Sequence, residues 1–281
     1  MLNVDSLSFS YGGKQVLRDV SFDIGENMVV SVLGPNGVGK TTLLKCICDH
    51  HRQTTGSVKV DGVDVRSIGR RELAKKIAYV PQKAIASHTT VFDSILIGRR
   101  PHIEWSVTKH DKEVVWDAMT SLGLQDLSLS YTDAISGGEF QKVQIARAMV
   151  QEPSIIILDE PTNNLDISNQ HMSMHMIVDA VRSRGISAIM TMHDINLAVH
   201  YSDRFMFIKD GTVYAYGDSS IISEELIKEV YGLDVDVIDH KGMPYVIPRT
   251  SPAMVNGPSH MHDHAHPHDV RDHIHQVYRD S

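Results

Sequence analysis

Apolar and polar residues alternate in short stretches over residues 2–33, in LNVDSLSFSY, QVLRDVSFDI and NMVVSVLG. Gly12-Gly13 and Gly25-Glu26-Asn27 separate them. A period of two between turn-forming residues predicts β-strands. A helix is expected to begin near Lys40 and run through TTLLKCICDHH. GSVKVDGVDV (56–65) reads as a further hairpin, and IAYVPQ (77–82) as a short strand ending at Pro81-Gln82.

From about 91 to 150 the pattern turns helical, with a polar interruption near 98–108 and a break at Gly123. In DKEVVWDAMTSLGL the helical period places Val114, Val115, Ala118, Met119 and Leu122 on one face. Residues 83–152 therefore read as an inserted helical subdomain. SIIILDE (154–160) is apolar on both faces, as a buried parallel strand must be. ISNQHMSMHMIVDAVRSRG reads as a helix ended by Gly185, and ISAIMTM, RFMFIKD and TVYAYGD as three more strands. Strands alternating with helices predict an α/β core. From Pro248 the composition shifts to Pro, His, Asp and Ser, which cannot bury a core. Residues 1–247 are thus expected to form the folded domain and 248–281 a mobile tail.

The 281 residues are 42% hydrophobic and 22% charged, ordinary values for a globular protein. A formal net charge of -8 argues against a general nucleic-acid binder. The two cysteines, Cys46 and Cys48, make no disulfide framework and fit a reducing cytosol. MLNVDSLSFSY is too polar for a signal peptide, and no apolar run approaches the ~20 residues that cross a bilayer. A function at a membrane would need another chain to supply the membrane part.

The chemistry begins at GPNGVGKTT (34–42), which completes the GxxxxGK[ST] pattern after the strand MVVSVL. Gly34, Gly37 and Gly39, with Pro35 and Asn36 between them, let the backbone approach phosphates. The N-terminus of the following helix adds about half a positive charge. That is weak against a triphosphate, so Lys40 must supply a full charge, and Mg²⁺, ligated by the Thr41 hydroxyl, two more. Asp159 ends the apolar strand where its carboxylate can hold Mg²⁺ through water. Glu160, one residue on, can orient or deprotonate an attacking water.

ISGGE (135–139) precedes IIILDEPTNNLD (155–166), and with the phosphate loop this order resembles the ATP-binding-cassette (ABC) ATPases over roughly residues 2–235. The resemblance implies an α/β P-loop core with an N-terminal antiparallel β subdomain and an inserted α-helical subdomain. It implies that ATP binds with Mg²⁺, that Tyr11 stacks on adenine, and that Thr42 joins the phosphate loop. By the same resemblance Gln82 senses Mg²⁺ and the attacking water, and His193 contacts the γ-phosphate. Ser136, Gly137 and Gly138 would cap the γ-phosphate of the ATP held by a second copy, and Asp166 would link the two sites. Ile135, Glu139 and Phe140 depart from the commoner Leu, Gln and Arg of that motif.

ISGGEFQKVQIARAMVQEP, MHDINLAVHYSDRFMFIKDG and IKEVYGLDVDVI look like the ATPases of iron-siderophore, haem and vitamin B12 importers. That resemblance implies a homodimer on the cytoplasmic face of the plasma membrane, docked through residues 83–110 to integral-membrane permease subunits. A substrate-binding protein outside the cytoplasm would deliver the ligand. An exporter ATPase with a separate permease is the alternative. A soluble protein acting on ribosomes or DNA fits less well, because such chains usually carry two cassettes or a long coiled-coil insertion.

Two metal-like patterns read better as packing. Cys46 and Cys48 lie two apart on a helix and do not share a face. The stretch His171, Met172, Met174, His175 and Met176 suits helix packing. In the tail, His260, His262, His264, His266 and His268 alternate with other residues, and His273 and His275 follow. Two readings stand: a solvated tail, or a segment that binds Zn²⁺, Ni²⁺, Co²⁺ or Cu²⁺ through neutral imidazole. Calorimetric titration of the full chain separates them, since a metal-binding segment gives saturable heat with a Kd below about 1 mM, near -4 kcal/mol.

Overall fold

Alternation at the N-terminus becomes an antiparallel hairpin in the computed structural model, which describes residues 1–163 and 165–249. β1 (Leu2–Tyr11) and β2 (Lys14–Ile24) turn through Gly12 and Gly13, both at positive φ. β3 (Val29–Leu33) leads into α1 (Lys40–Ile47), which stops short of the expected His51. Asp49 adopts φ 54°, and the N–H groups of Asp49 and His50 close on the Cys46 and Lys45 carbonyls at 3.1 and 2.9 Å. A left-handed residue with such bonds ends a helix whatever the residues beyond it. Burial pushes the Cys46 thiol up to about 12, so it stays protonated at neutral pH.

β4 (Thr55–Val60) and β5 (Val63–Asp64) form the expected second hairpin, turned by Asp61 and Gly62 at φ 51° and 78°. α2 (Arg70–Ala74) and β6 (Ile77–Val80) follow. Between β6 and the next strand the regular elements are helical: α3 (Val91–Leu96), α4 (Lys109–Ser121) and α5 (Gly137–Met149). The chain then alternates through β7 (Ile155–Asp159), α6 (Ile167–Ser183), β8 (Ser187–Thr191), α7 (Ile195–Tyr201), β9 (Arg204–Lys209) and β10 (Thr212–Gly217). α8 (Glu224–Tyr231), β11 (Val235–His240) and β12 (Met243–Pro248) complete the compact unit Met1–Pro248. The strand pattern of 219–248 was not among the expected elements, although Lys241-Gly242 makes its turn at φ 56° and 83°. Of the His-rich tail expected at 248–281, Pro248 instead ends β12, and residues 250–281 lie outside the described residues.

One sheet has the order β2-β1-β4-β5 and is antiparallel; the other has the order β10-β9-β3-β8-β7-β6 and is parallel except at β10. The central strands separate two cores. Val30 and Val32 of β3 and Ile155 and Ile157 of β7 pack beneath α1 and the antiparallel sheet. Val29 and Leu33, with Ile156 and Leu158, face the helices α3 to α8. This two-sided burial is why β3 and β7 read as unbroken apolar runs. Val115, Ala118, Met119 and Leu122 of α4 are buried in the helical core, with Val114 at its margin. Among the described residues no helix is long and apolar enough to cross a membrane.

Arg99 ties the helical segment together at 2% exposure. Its guanidinium donates to Asp111 of α4 at 3.0 Å, and to the Val150 carbonyl and Glu152 beyond α5 at 2.8 and 2.6 Å. Asp111 also caps α4 reciprocally with Thr108. Burial alone would raise the Asp111 carboxyl, but the Thr108 hydroxyl and N–H and the Arg99 guanidinium outweigh it and hold it at about 2. A depressed folded-state value contributes stability above the unfolded carboxyl's value, near 4, and loses it as pH falls through about 2. Asp111→Asn is expected to lower the unfolding free energy by about 2 kcal/mol at neutral pH. In urea melts at successive pH values the gap to wild type should close between about pH 4 and pH 2.

Candidate active site

β3 delivers the chain to a loop that only glycine can form at two points. Gly34 stands at φ 146°, where a Cβ would lie 2.4 Å from the Ile208 carbonyl oxygen. Gly39 stands at φ 113°, where a Cβ would lie 2.9 Å from Leu17. The loop therefore sits directly on β9 and β2, and its bare backbone lets an anion approach closely. Lys40 opens α1 and folds back over the loop, its Nζ donating to the Gly34 and Pro35 carbonyls at 2.6 and 3.1 Å. Burial lowers its pKa, while Glu160 and Asp159 act in the opposite sense. A phosphate in this loop would offer the ammonium charged oxygens in place of two neutral carbonyls. Thr42, one residue past Thr41 on α1, is buried.

Asp159 is 3% exposed at the carboxyl end of β7. Its Oδ1 accepts from the Thr41 hydroxyl at 3.0 Å and from Thr191 at the end of β8 at 2.8 Å, and its Oδ2 from Tyr79 of β6 at 3.2 Å. Thr41 and Asp159 thus bring two hard oxygen donors together beside the phosphate loop, a set that fits Mg²⁺. The neighbouring Glu160 sits in the left-handed region at φ 51°, an uncommon and costly conformation for a side chain other than glycine. Its N–H donates to Thr191 at 2.8 Å. Its carboxylate meets the His193 Nε2 at 2.6 Å through Oε1, and accepts from Asn163 at 2.9 Å and from Gln82 through Oε2. Gln82 therefore reaches Glu160 rather than the Thr41–Asp159 pair.

Tyr11 is half exposed, and its hydroxyl shares a hydrogen bond of 2.7 Å with the His51 ring. It lines one groove of about 690 Å³ with Pro35, Asn36, Gly37 and Val38. An aromatic face beside a phosphate loop suits a purine base carrying phosphates.

Ser136, Gly137 and Gly138 lie elsewhere. They begin α5, where Ser136 and Glu139 form a capping box with Ser136 N–H and hydroxyl donating to the carboxylate at 2.8 and 2.7 Å. These bonds hold Glu139 below the usual carboxylate range. The three residues share a cavity with Asp166, the N-cap of α6, and Asn169. Among the described residues no hydrogen bond joins them to the phosphate loop. Their link to the site is indirect: Gln141 of α5 donates to the Pro161 carbonyl at 2.6 Å, beside Glu160.

Three members of this constellation escaped the sequence reading: Thr191, Tyr79 and Asn163. Thr191 precedes His193 by two residues at a strand end, a polar residue closing an apolar run, and that was the available signal. Tyr79 and Asn163 carried none, because an aromatic in a strand and an amide in a turn are ordinary.

The profile of the ABC transporter family matches residues 17–163. An uncharacterized ABC transporter ATP-binding protein of Methanocaldococcus jannaschii is 47% identical over 248 residues, 88% of this chain and 98% of its own. The hemin import ATP-binding protein of Gloeobacter violaceus is 34% identical over 266 residues, covering 91% and 96%. In structure, a chain of an inward-facing ABC transporter described as metal-chelate type superposes with a TM-score of 0.77 at 27% identity, covering 89% of this chain and 98% of its own. This protein belongs to the ABC transporter family, as one of its ATP-binding, ATP-hydrolysing subunits.

Proposed function

We propose that this ATPase works as a pair of identical subunits beneath a separate permease and drives import of a metal chelate of the siderophore, haem or cobalamin kind. The observation that carries the catalytic part is the Gln82–Asn163–Glu160–His193 constellation beside Thr41 and Asp159. The phosphate loop and Lys40 hold the triphosphate, with Tyr11 on the base. Glu160 takes a proton from water as the water oxygen bonds to the γ-phosphorus and the bond to the β-phosphate oxygen breaks. His193, Gln82 and Asn163 fix the Glu160 carboxylate for that transfer, and Thr191 holds its backbone. Thr41 and Asp159 would hold Mg²⁺, which when bound would supply charge neutralisation to the triphosphate.

The pairing follows from what one copy lacks. Ser136, Gly137 and Gly138 present the N-terminus of a 13-residue helix but share their cavity with Asp166 and not with the phosphate loop. A second copy turned to face the first would bring its residues 136–138 to the γ-phosphate, so that ATP joins the two.

The cargo reading rests on likeness: a relative named for hemin import and a structure described as metal-chelate type. Residues 1–247 act as the ATPase domain and 83–152 as its helical subdomain. Ile85 and Trp105, within residues 83–110, are 95% and 97% exposed, which supports that segment as the face that meets permease subunits. The protein would then sit peripherally on the cytoplasmic face of the plasma membrane. A substrate-binding protein would act on the other side.

Glu160→Gln should keep nucleotide binding while turnover falls on the order of a hundredfold or more. It should also run as an ATP-dependent dimer on size exclusion. Lys40→Ala should lose binding itself. Turnover of Glu160→Gln at the wild-type rate would remove Glu160 as the base. Isolating that variant with ATP from native membranes tests the rest: a polytopic permease should come with it, whereas a ribosomal or other soluble partner would overturn the transport reading.

A further inference from the structure

Tyr79 is the only group in the described hydrogen-bond set that reaches Asp159 Oδ2, whereas two threonines share Oδ1. Its reach follows from the sheet. β6 pairs with β7 in parallel, Tyr79 opposite Ile157, so the side chains of Tyr79, Ile157 and Asp159 lie on one face. That face is covered by α1, which brings Thr41. The phenol extends from β6 toward the carboxyl end of β7 and meets the carboxylate at Oδ2, the oxygen the threonines do not share. The His50 ring packs edge-on against the Tyr79 ring, with centroids 5.3 Å apart.

We infer that Tyr79 is a positioning residue for the metal site: its hydroxyl fixes the rotation of the Asp159 carboxylate and so aims Oδ1 at the ion beside Thr41. This rests on the assignment of Asp159 and Thr41 to Mg²⁺. A carboxylate bonded at one oxygen can turn about its Cβ–Cγ bond; bonded at both, it cannot. Groups that hydrogen-bond a metal ligand typically change metal affinity by ten- to a hundredfold when removed. Tyr79→Phe deletes the hydroxyl and keeps the ring, so the packing against His50 stays.

The measurement is binding, not turnover. Titration of the full chain with Mn²⁺ in the presence of ADP, followed by the loss of the free-ion electron paramagnetic resonance signal, gives the ion's affinity. ADP affinity in EDTA gives the metal-free reference. Tyr79→Phe should weaken Mn²⁺ about tenfold or more, with metal-free ADP affinity within about twofold of wild type and an unchanged thermal midpoint. Asp159→Asn should abolish the Mn²⁺ dependence. An unaltered Mn²⁺ affinity in Tyr79→Phe overturns the inference, as does a parallel fall in metal-free ADP binding, which would mark a structural role. Should Asp159→Asn bind Mn²⁺ as wild type does, the metal assignment fails first and the inference falls with it.

Discussion

A carboxylate at 3% exposure costs several kcal/mol unless its oxygens are bonded, and Asp159 obtains its bonds from three separate elements. Thr41 comes from α1, Thr191 from β8 and Tyr79 from β6. The sheet order that places β6 and β8 on either side of β7 is therefore a requirement of the site as much as of the core. Thr191 serves twice, because it also accepts from the Glu160 N–H and holds that residue in its left-handed turn. Asp159 and Glu160 are thus joined through one hydroxyl.

Around this point the fold separates tasks. The core beneath α1 and the antiparallel sheet makes the phosphate loop rigid, with Gly34 and Gly39 pressed against neighbouring backbone and side chain. The helical core is joined to the parallel sheet by apolar packing, and inside it Arg99 fastens three segments by charge-assisted bonds. Gln82 and Gln141 are the polar threads from that helical region to the Glu160 turn.

Much of this was legible along the chain. β3 and β7 announced themselves as doubly buried strands, and GPNGVGKTT and LDEPTNNLD placed the phosphate loop and the two carboxylates at strand ends. Local rules suffice there, because a strand, a glycine loop and a helix start are set by residues a few positions apart. The length of α1 was less legible, since its end depends on Asp49 turning left-handed, which many residues tolerate. The final hairpin escaped because its strands bury only one residue each, Val235 and Val246, and Asn196 of α7 fastens it by bonds to Val246.

The candidate residues were therefore legible in the sequence alone: lysine, threonine, aspartate and glutamate in motifs whose spacing implies a phosphate site, and His193 through the family resemblance. Tertiary structure decided their partners. That Tyr79 meets Asp159, that Gln82 meets Glu160, and that Ser136 lies away from the phosphate loop depend on strand order and helix packing; the first two contacts join residues 80 and 78 positions apart. Hydrogen bonds reach about 3 Å, and no periodicity along a chain can say which distant groups a sheet will bring that close.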